Sequence, residues 1–281
     1  MIGLTPAGLP LKINKMAIRV IFPAVILLSV PHLEIREGVY FAIVAPWLCL
    51  VIAATTVLLL SRVFKWPREI EGALLVLTAL GNTGFLGMPM IDSLFGLEHL
   101  AIAVIFDQLG TFIALSTYGI ILVGIYSGDQ RVSSIQVVKN ILFFPPFITL
   151  IFALFLSPTS LAPVHQILEI MASALIPITM LSIGMQFVFR VDREDLLPLI
   201  AGLSIKMLLL PLVIGALGCG LSVSRTVFQA SVFQSATPPM VTAAIILTAH
   251  NIAPKFTASV LGFGTLLALF WLPMIYFILN A

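Results

Sequence analysis

Charged residues are scarce in this sequence. Only 9% of its 281 residues are Asp, Glu, Lys or Arg, whereas soluble globular domains average about 25%. Hydrophobic residues make up 60%, and the surface of such a chain is more stable against lipid than against water. The net charge of +2 and the lack of a basic run exclude a nucleic-acid partner. The composition therefore predicts an integral membrane protein in contact with the lipid bilayer.

Cysteine is nearly absent, and residues for metal or nucleotide chemistry are scattered. Cys49 and Cys219 lie in or beside apolar segments, which predicts inert buried thiols rather than a disulfide framework. The spacing of the four histidines matches no metal motif, so no metal site is expected. No phosphate-binding loop for ATP is found, so an ion gradient would have to supply energy for any transport. No cofactor is expected beyond a coupling ion, H⁺ or Na⁺.

Nine apolar segments account for most of the chain. A spanning helix needs about 20 mostly apolar residues, and the stretches between the segments are too short for an appended soluble domain. The sequence therefore predicts an all-α polytopic membrane protein with nine transmembrane helices. The segments are 13–31, 39–63, 70–96, 99–127, 136–157, 163–188, 193–221, 224–250 and 253–280.

Lysine and arginine are distributed unevenly between the two sides. Cytoplasmic loops carry the excess of these residues, so the richer side is expected to face the cytoplasm of a multi-pass cell (plasma or inner) membrane protein. Nine crossings then place the N-terminus in the cytoplasm and the C-terminus outside. The richer side carries Lys12, Lys15, Arg62, Lys65, Arg68, Arg131, Lys139, Arg190, Arg193 and Lys255, and the other carries Arg36 and Arg225.

The segments are arranged as an internal repeat. Those starting at 39, 70 and 99 recur at 193, 224 and 253, each 154 residues later. A unit with an odd number of spans is inserted upside down in its second copy. We therefore predict two inverted repeats, 1–128 with four helices and 129–281 with five. The counterpart of segment 136–157 would precede Met1, so either the chain is truncated or the protein works with nine helices.

Two segments are interrupted at matching positions. Gly81–Pro89 contains three glycines and a proline, and Gln234–Pro239 ends in two prolines; both stretches disfavour continuous helix. A half-helix starting near mid-membrane, after about Pro89 and after about Pro239, offers free N–H groups and a partial positive charge to an anion. Carbonyl ends of the opposite half-helices would suit a proton or cation. A kink that serves packing alone remains the alternative.

Two ionisable residues lie deep inside predicted helices. A buried carboxylate is costly unless neutralised, paired or solvated, which makes Asp107 a candidate for proton coupling. The alternative is a protonated Asp107 hydrogen-bonded within the bundle. Lys206 is a candidate partner for a substrate carboxylate, and an ion pair with Asp107 or Glu169 is the competing interpretation.

Three stretches resemble the auxin efflux carrier family. The Gly81–Pro89 motif is similar to that family's hallmark, and residues 12–30 and 236–241 are similar to its second and ninth helices. The resemblance implies ten helices in two inverted repeats, a panel and a transport core, and two broken helices that cross in the core. It implies transport of small organic anions, such as auxin-like acids or mono- and dicarboxylates, and it is compatible with a homodimer.

The family's first helix has no counterpart here, and this departure concerns panel packing and dimer contacts more than substrate chemistry. By position, Asn82 and Thr83 would contact the substrate and the prolines would mark the crossover. The predicted substrate-binding residues are Asn82, Thr83, Gly84, Gln234, Ser235, Thr237 and Lys206, and the predicted crossover residues are Gly81, Gly87, Pro89, Pro238 and Pro239.

Other function classes fit less well. A sodium- or proton-linked exchanger or symporter of the bile-acid transporter type stays open, although a cation exchanger would want acidic residues at the crossover and neither break contains one. An intramembrane aspartyl protease needs two facing aspartates, and a membrane serine protease needs Ser and His at matching depth. A receptor would more often carry a soluble domain. We therefore predict a secondary transporter rather than an enzyme.

Overall fold

The computed structural model describes residues 9–33, 38–127, 134–184, 192–221 and 223–281, and within these ranges every regular element is a helix. Loop residues Arg36, Arg131 and Arg190 and the end of segment 163–188 lie outside the described residues. The α-helices are α1 (Leu9–Met16), α2 (Phe22–Ser29), α3 (Val39–Phe64), α4 (Arg68–Ala79), α5 (Met88–Phe95), α6 (Leu97–Ile105), α7 (Phe112–Ala114), α8 (Ile120–Ser127), α9 (Ser134–Leu142), α10 (Pro145–Ala153), α11 (His165–Ser173), α12 (Leu175–Gly184), α13 (Leu196–Ser204), α14 (Leu210–Gly220), α15 (Arg225–Ser235), α16 (Val241–Ala249) and α17 (Pro254–Asn280).

Short turns of other helix types join several of these α-helices into longer rods. The 3₁₀ turns are Val30–His32, Pro158–Val164 and Arg193–Asp195, and the π-helical turns are Ala17–Ile21, Thr83–Gly87, Phe106–Thr111, Leu115–Gly119 and Ile205–Leu209.

Six helices among the described residues are long and apolar enough to cross a membrane. They match six of the predicted segments, and the multi-pass membrane character is thereby confirmed. The other three segments, 70–96, 136–157 and 224–250, are each divided into two shorter helices. Nine crossings and the inverted repeat stay predictions. The six helices are Lys12–His32, Val39–Phe64, Leu97–Ser127, Pro158–Ser182, Arg193–Gly220 and Pro254–Asn280.

The break in segment 136–157 was not predicted. There α9 ends at Leu142 and α10 begins at Pro145, with Phe144 in an extended conformation. Proline disfavours the helical conformation in the residue before it and cannot donate to the preceding turn. The pair Pro145 and Pro146 therefore ends one helix and starts the next. The apolar composition of the segment alone indicates a continuous span, so the prediction from sequence overlooked this pair.

Helix α3 packs against its neighbours through a stripe of small buried side chains. Its buried positions follow one another at three- and four-residue spacing and carry small or slender side chains, among them Ala45, Cys49, Ala53 and Val57. Such a stripe lets a helix approach its neighbours closely in a membrane, and α3 packs against α4, α15 and Phe106–Thr111. The opposite face exposes large apolar side chains that suit lipid.

Three of the π-helical turns hold residues that the sequence singles out. Thr83 opens one of these turns, Asp107 lies in the second and Lys206 in the third. A π-turn interrupts the regular hydrogen-bond ladder and is frequent at functional sites. In the second turn the carbonyl of Leu109 accepts a hydrogen bond from the indole of Trp47 on α3 at 3.2 Å, which holds the Asp107 helix against α3.

The two cysteines are free, and they differ. Cys49 is buried on α3, as expected, but Cys219 is exposed near the end of α14. The apolar surroundings of Cys219 are the outer surface of a membrane helix rather than a protein interior, so the prediction of a buried thiol was wrong there.

Candidate functional site at the helix crossing

The two interrupted segments meet at their breaks, as the sequence predicts. The amide of Asn82 donates to the carbonyl of Pro238 at 2.7 Å, and the amide of Met240 donates to the carbonyl of Leu80 at 3.0 Å. Unwound backbone at membrane depth is stable only where its polar groups find partners. Each break therefore supplies part of the hydrogen bonding that the other requires.

Pro238 and Pro239 lie in the non-helical stretch between α15 and α16, with Pro239 facing Gly81 across the antiparallel pair. A proline nitrogen has no proton, so it needs no partner in this buried place. The carbonyl of Pro238 remains available and accepts from Asn82. Both prolines thus mark the crossing itself.

The second half of each broken helix begins beside the crossing. One resumes with the π-turn Thr83–Gly87 and continues into α5, and the other resumes at Val241. The sequence predicts the first restart after about Pro89, but in the structure it lies earlier, at Thr83. The amide of Gly87 bonds to the carbonyl of Asn82 at 2.9 Å, and this wider turn accommodates Pro89 without a break.

Two glycines allow the broken helices to approach each other closely. A Cβ on Gly81 would lie 2.5 Å from the Thr237 hydroxyl and 2.9 Å from Lys206 Nζ. A Cβ on Gly87 would lie 2.0 Å from Gln234 Oε1. Real Cβ atoms are not found this close to other atoms, so a methyl group at either position would displace the side chain that faces it from the second broken helix or from Lys206.

Asp107 is tied to the first break. Its Oδ1 accepts a hydrogen bond from the Thr83 hydroxyl at 2.5 Å, and its Oδ2 accepts one from Gln108 Nε2 at 2.6 Å. All three side chains are buried. Thr83 therefore links the start of a half-helix directly to the buried acid.

A cavity of about 90 Å³ lies against this group. Both polar atoms of the Asn82 side chain and Oε1 of Gln108 are buried without a hydrogen-bond partner. Buried polar atoms are nearly always paired with protein or water, and a cavity of this size has room for water or a small ligand. Its lining is Ile18, Phe22, Asn82, Gly84, Phe85, Asp107, Gln108, Phe112, Leu115, Phe144, Met240 and Thr242.

The starts of both half-helices border the cavity. Asn82 and Gly84 come from the first start, and Met240 and Thr242 come from the second. Neither start has a side-chain cap hydrogen bond. The first amides of a helix lack partners within it, and the positive ends of two helix dipoles therefore border one cavity.

The predicted substrate-binding residues of the second break, and Lys206 between α13 and α14, lie at the crossing but away from the cavity. Lys206 Nζ donates to the carbonyl of Ser235 at 2.9 Å, and Gln234 Nε2 donates weakly to the carbonyl of Thr83 at 3.4 Å. The Thr237 hydroxyl donates to the carbonyl of Gln234 at 2.7 Å. None of these three side chains, nor that of Ser235, belongs to the described lining of the cavity. Each of the four donates to a backbone carbonyl, and Gln234 Oε1 alone among their polar atoms is buried without a partner.

The structure therefore divides the predicted substrate-binding residues into two groups. Asn82 and Gly84 line the cavity, and Thr83 orients Asp107, which also lines it. Sequence reasoning missed Gln108 and Thr242. Gln108 carried a usable signal, because an amide side chain beside a buried acid in an apolar helix is itself unusual.

The comparisons with known proteins agree with this architecture. Residues 10–276 match the family described as membrane transport protein. The chain is 26% identical over 269 residues to an uncharacterized transporter of Methanothermobacter thermautotrophicus, covering 93% of this chain and 86% of the relative. It is 34% identical over 185 residues to an uncharacterized transporter of Methanocaldococcus jannaschii, covering 62% of this chain and 58% of that protein. The chain belongs to the membrane transport protein family, the auxin efflux carrier family that its sequence motifs resemble.

Proposed function

We propose that this membrane transporter is a secondary carrier of small organic anions, with the substrate bound where segments 70–96 and 224–250 cross. One observation carries the proposal. The Asn82 side chain is buried with both polar atoms unpartnered, and it faces a cavity on which two half-helix starts converge.

The chemistry of the cavity favours a carboxylate with an apolar body. Helix starts attract negative charge, and the amide nitrogen of Asn82 is a further donor. Most of the remaining lining is aromatic or aliphatic, including Phe22 and Phe85, whose ring centroids are 5.2 Å apart. Auxin-like acids and small mono- or dicarboxylates combine these two properties.

The position of Asp107 supports proton coupling. A substrate carboxylate and an ionised Asp107 would place two negative charges in one small cavity, where they repel strongly. Anion binding is therefore favoured when Asp107 carries a proton, and substrate and proton would move together. The hydrogen bond from Thr83 connects this proton site to the half-helix that binds the anion.

Lys206 argues against sodium as the coupling ion. Ser235 is the last residue of α15, and the carbonyls at a helix end attract cations. Here the Lys206 ammonium already donates to the Ser235 carbonyl and is buried with it. A cation fixed to the chain in this place would supply the positive charge that a symporter of the bile-acid type takes from Na⁺.

For transport we propose movement of a core, which contains the crossing, against a panel. The division into repeats 1–128 and 129–281 belongs to this proposal, as do residence in the cell membrane and a cytoplasmic N-terminus. A homodimer formed through the panel would hold the panel still while the core moves.

A ligand screen by thermal shift tests the proposed substrate class. Purified protein in detergent is heated with benzoate, indole-3-acetate or short aliphatic carboxylates, each paired with its neutral amide and supplied as sodium and choline salts. A bound carboxylate at a hundredfold excess over Kd should add about 2.7 kcal/mol to the free energy of unfolding. The matching amides should add little. Equal shifts with acids and amides would reject anion recognition, and a shift confined to the sodium salts would show that carboxylate binding requires Na⁺.

A further inference from the structure

A second, larger cavity approaches the site from the side that carries Lys139. It measures about 480 Å³, and its polar residues are on the exposed end of α9 and on the helix that carries Asp107. The lining is Phe112, Ser116, Lys139, Asn140, Phe143, Phe144 and Pro145. We call this cavity the vestibule. Lys139 is exposed, and a cation at the mouth of a cavity raises the local concentration of anions.

The vestibule and the site cavity have two lining residues in common, Phe112 and Phe144. Their rings stack with centroids 3.9 Å apart and an interplanar angle of 15°. The stacked pair is therefore a shared wall, with Lys139 on one side and Asn82 on the other.

The two rings belong to different parts of the fold. Phe112 begins α7, directly after the π-turn that contains Asp107. Phe144 lies in the gap between α9 and α10, in the extended conformation that the following Pro145 imposes. A ring at a helix break can move with either helix, whereas Phe112 is fixed to the helix that carries the acid.

At the opposite end of the molecule, the residues that the structure describes form no comparable wall with the cavity found there. A cavity of about 230 Å³ lies there, and it has no lining residue in common with the site cavity. Its lining is His32, Leu33, Glu98, Ile102, Ser224, Thr226 and Val227.

We infer that the stacked Phe112 and Phe144 form the barrier between the vestibule and the binding cavity, and that substrate passes when the two rings separate. The inference rests on the proposed function only for the identity of what passes. The unexpected break at Phe144 gives this ring its freedom, and the apolar faces of the rings exclude water while they are stacked. Because an anion leaves Lys139 to cross the barrier, ring separation would decide the rate of entry more than the affinity of the site.

Thiol accessibility measures the barrier without any substrate. The background carries Cys49→Ala and Cys219→Ser, and Thr242→Cys places a reporter in the wall of the site cavity. A small anionic methanethiosulfonate reagent is added to oriented vesicles, separately on the Lys139 side and on the opposite side. Phe144→Ala should speed modification from the Lys139 side by about tenfold, since losing a stacked ring pair shifts an opening equilibrium by that order.

Phe147→Ala is the matched control. Phe147 lies on α10, one turn after Phe144, and is half-buried like Phe144. Its ring centroid is 6.4 Å from that of Phe112, farther than the centroid of Phe144, and it belongs to the lining of neither cavity. Its removal should leave the rate unchanged, and Phe144→Trp should keep it low. Phe112→Leu provides the same test from the other ring if Phe144→Ala folds poorly.

Equal rates in the Phe144→Ala and Phe147→Ala proteins would overturn the barrier. If the barrier is confirmed while no carboxylate stabilises the protein, the proposed substrate class fails and the barrier stands. The two proposals can therefore be rejected independently.

Discussion

The two breaks at the crossing occupy matching places in the sequence and have different chemistry. The first break is rich in glycine, and its Asn82 side chain is buried without partners. The second break ends in Pro238 and Pro239, and nearby Thr237 and Ser235 both bond to protein backbone. At the second break Gln234 Oε1 also lacks a partner, but Gln234 lies outside the lining of the cavity, whereas Asn82 has both polar atoms unpartnered and lines it. Since buried polar atoms are nearly always paired, the first break is where a ligand is expected, and the second supports it.

This difference shows that symmetric position does not imply equal function. The second break contributes backbone: the carbonyl of Pro238 holds Asn82 in place, and the start of α16 borders the cavity. The first break contributes both backbone and a side chain that is free to bind. Substitutions should therefore separate the two breaks, with folding sensitive where they touch and binding sensitive only at the first.

The largest expected effect is on folding. Gly87→Ala places a methyl group 2.0 Å from Gln234 Oε1 and 3.0 Å from Thr237 Cγ2, both in the buried crossing, and overpacking of this kind costs about 1–3 kcal/mol. Gly84→Ala is the control, because its nearest contacts, all with side chains, are at 3.2 Å to 3.4 Å and it should cost less than about 1 kcal/mol. Thermal unfolding in detergent measures both. Equal stability of the two variants would show that the helices are not in close contact at Gly87.

The next effect is on binding. Asn82→Ala removes a donor that is unused in the free protein, so it should abolish uptake, weaken carboxylate binding by about ten- to a hundredfold and leave expression and thermal stability unchanged. Gln234→Ala should lower thermal stability and leave carboxylate binding unchanged, because the Gln234 side chain donates to the carbonyls of Thr83 and Ala103. Carboxylate titration measures binding by the two variants, and thermal unfolding in detergent measures their stability. Unaltered transport by Asn82→Ala would remove Asn82 from the site.

The smallest expected effect is on the coupling of substrate uptake to the proton gradient through Asp107, which is tied to the first break. An electroneutral symporter of one proton with a monocarboxylate accumulates substrate about tenfold per unit of pH gradient. Asp107→Asn keeps the acceptor for the Thr83 hydroxyl but carries no exchangeable charge, so uptake into proteoliposomes should lose its response to an imposed gradient. Asp92→Asn is the control, since Asp92 is half-buried on α5 outside the cavity lining. A pH response that survives in Asp107→Asn would assign the proton to another group.

The predictions from sequence succeeded where composition and backbone chemistry decide the outcome. Long apolar runs produced helices, and glycine and proline in Gly81–Pro89 and Gln234–Pro239 produced breaks. They were less accurate where one type of turn replaces another. A π-turn allowed Pro89 to remain inside a helix, and Phe144 before Pro145 ended one where apolarity alone indicated a continuous span.

The sequence by itself determined that this chain is an integral membrane protein, that two of its spans are interrupted, and that it carries an acid and a lysine at membrane depth. These properties follow from residue types and their order, because the cost of exposing polar backbone to lipid acts along each segment separately. Only the tertiary structure decided that Asn82 and Gln108 keep unpartnered atoms toward one cavity, while Lys206 turns to the Ser235 carbonyl. Which buried group lacks a partner depends on neighbours far away in the chain, and the crossing of the two broken helices selects those neighbours.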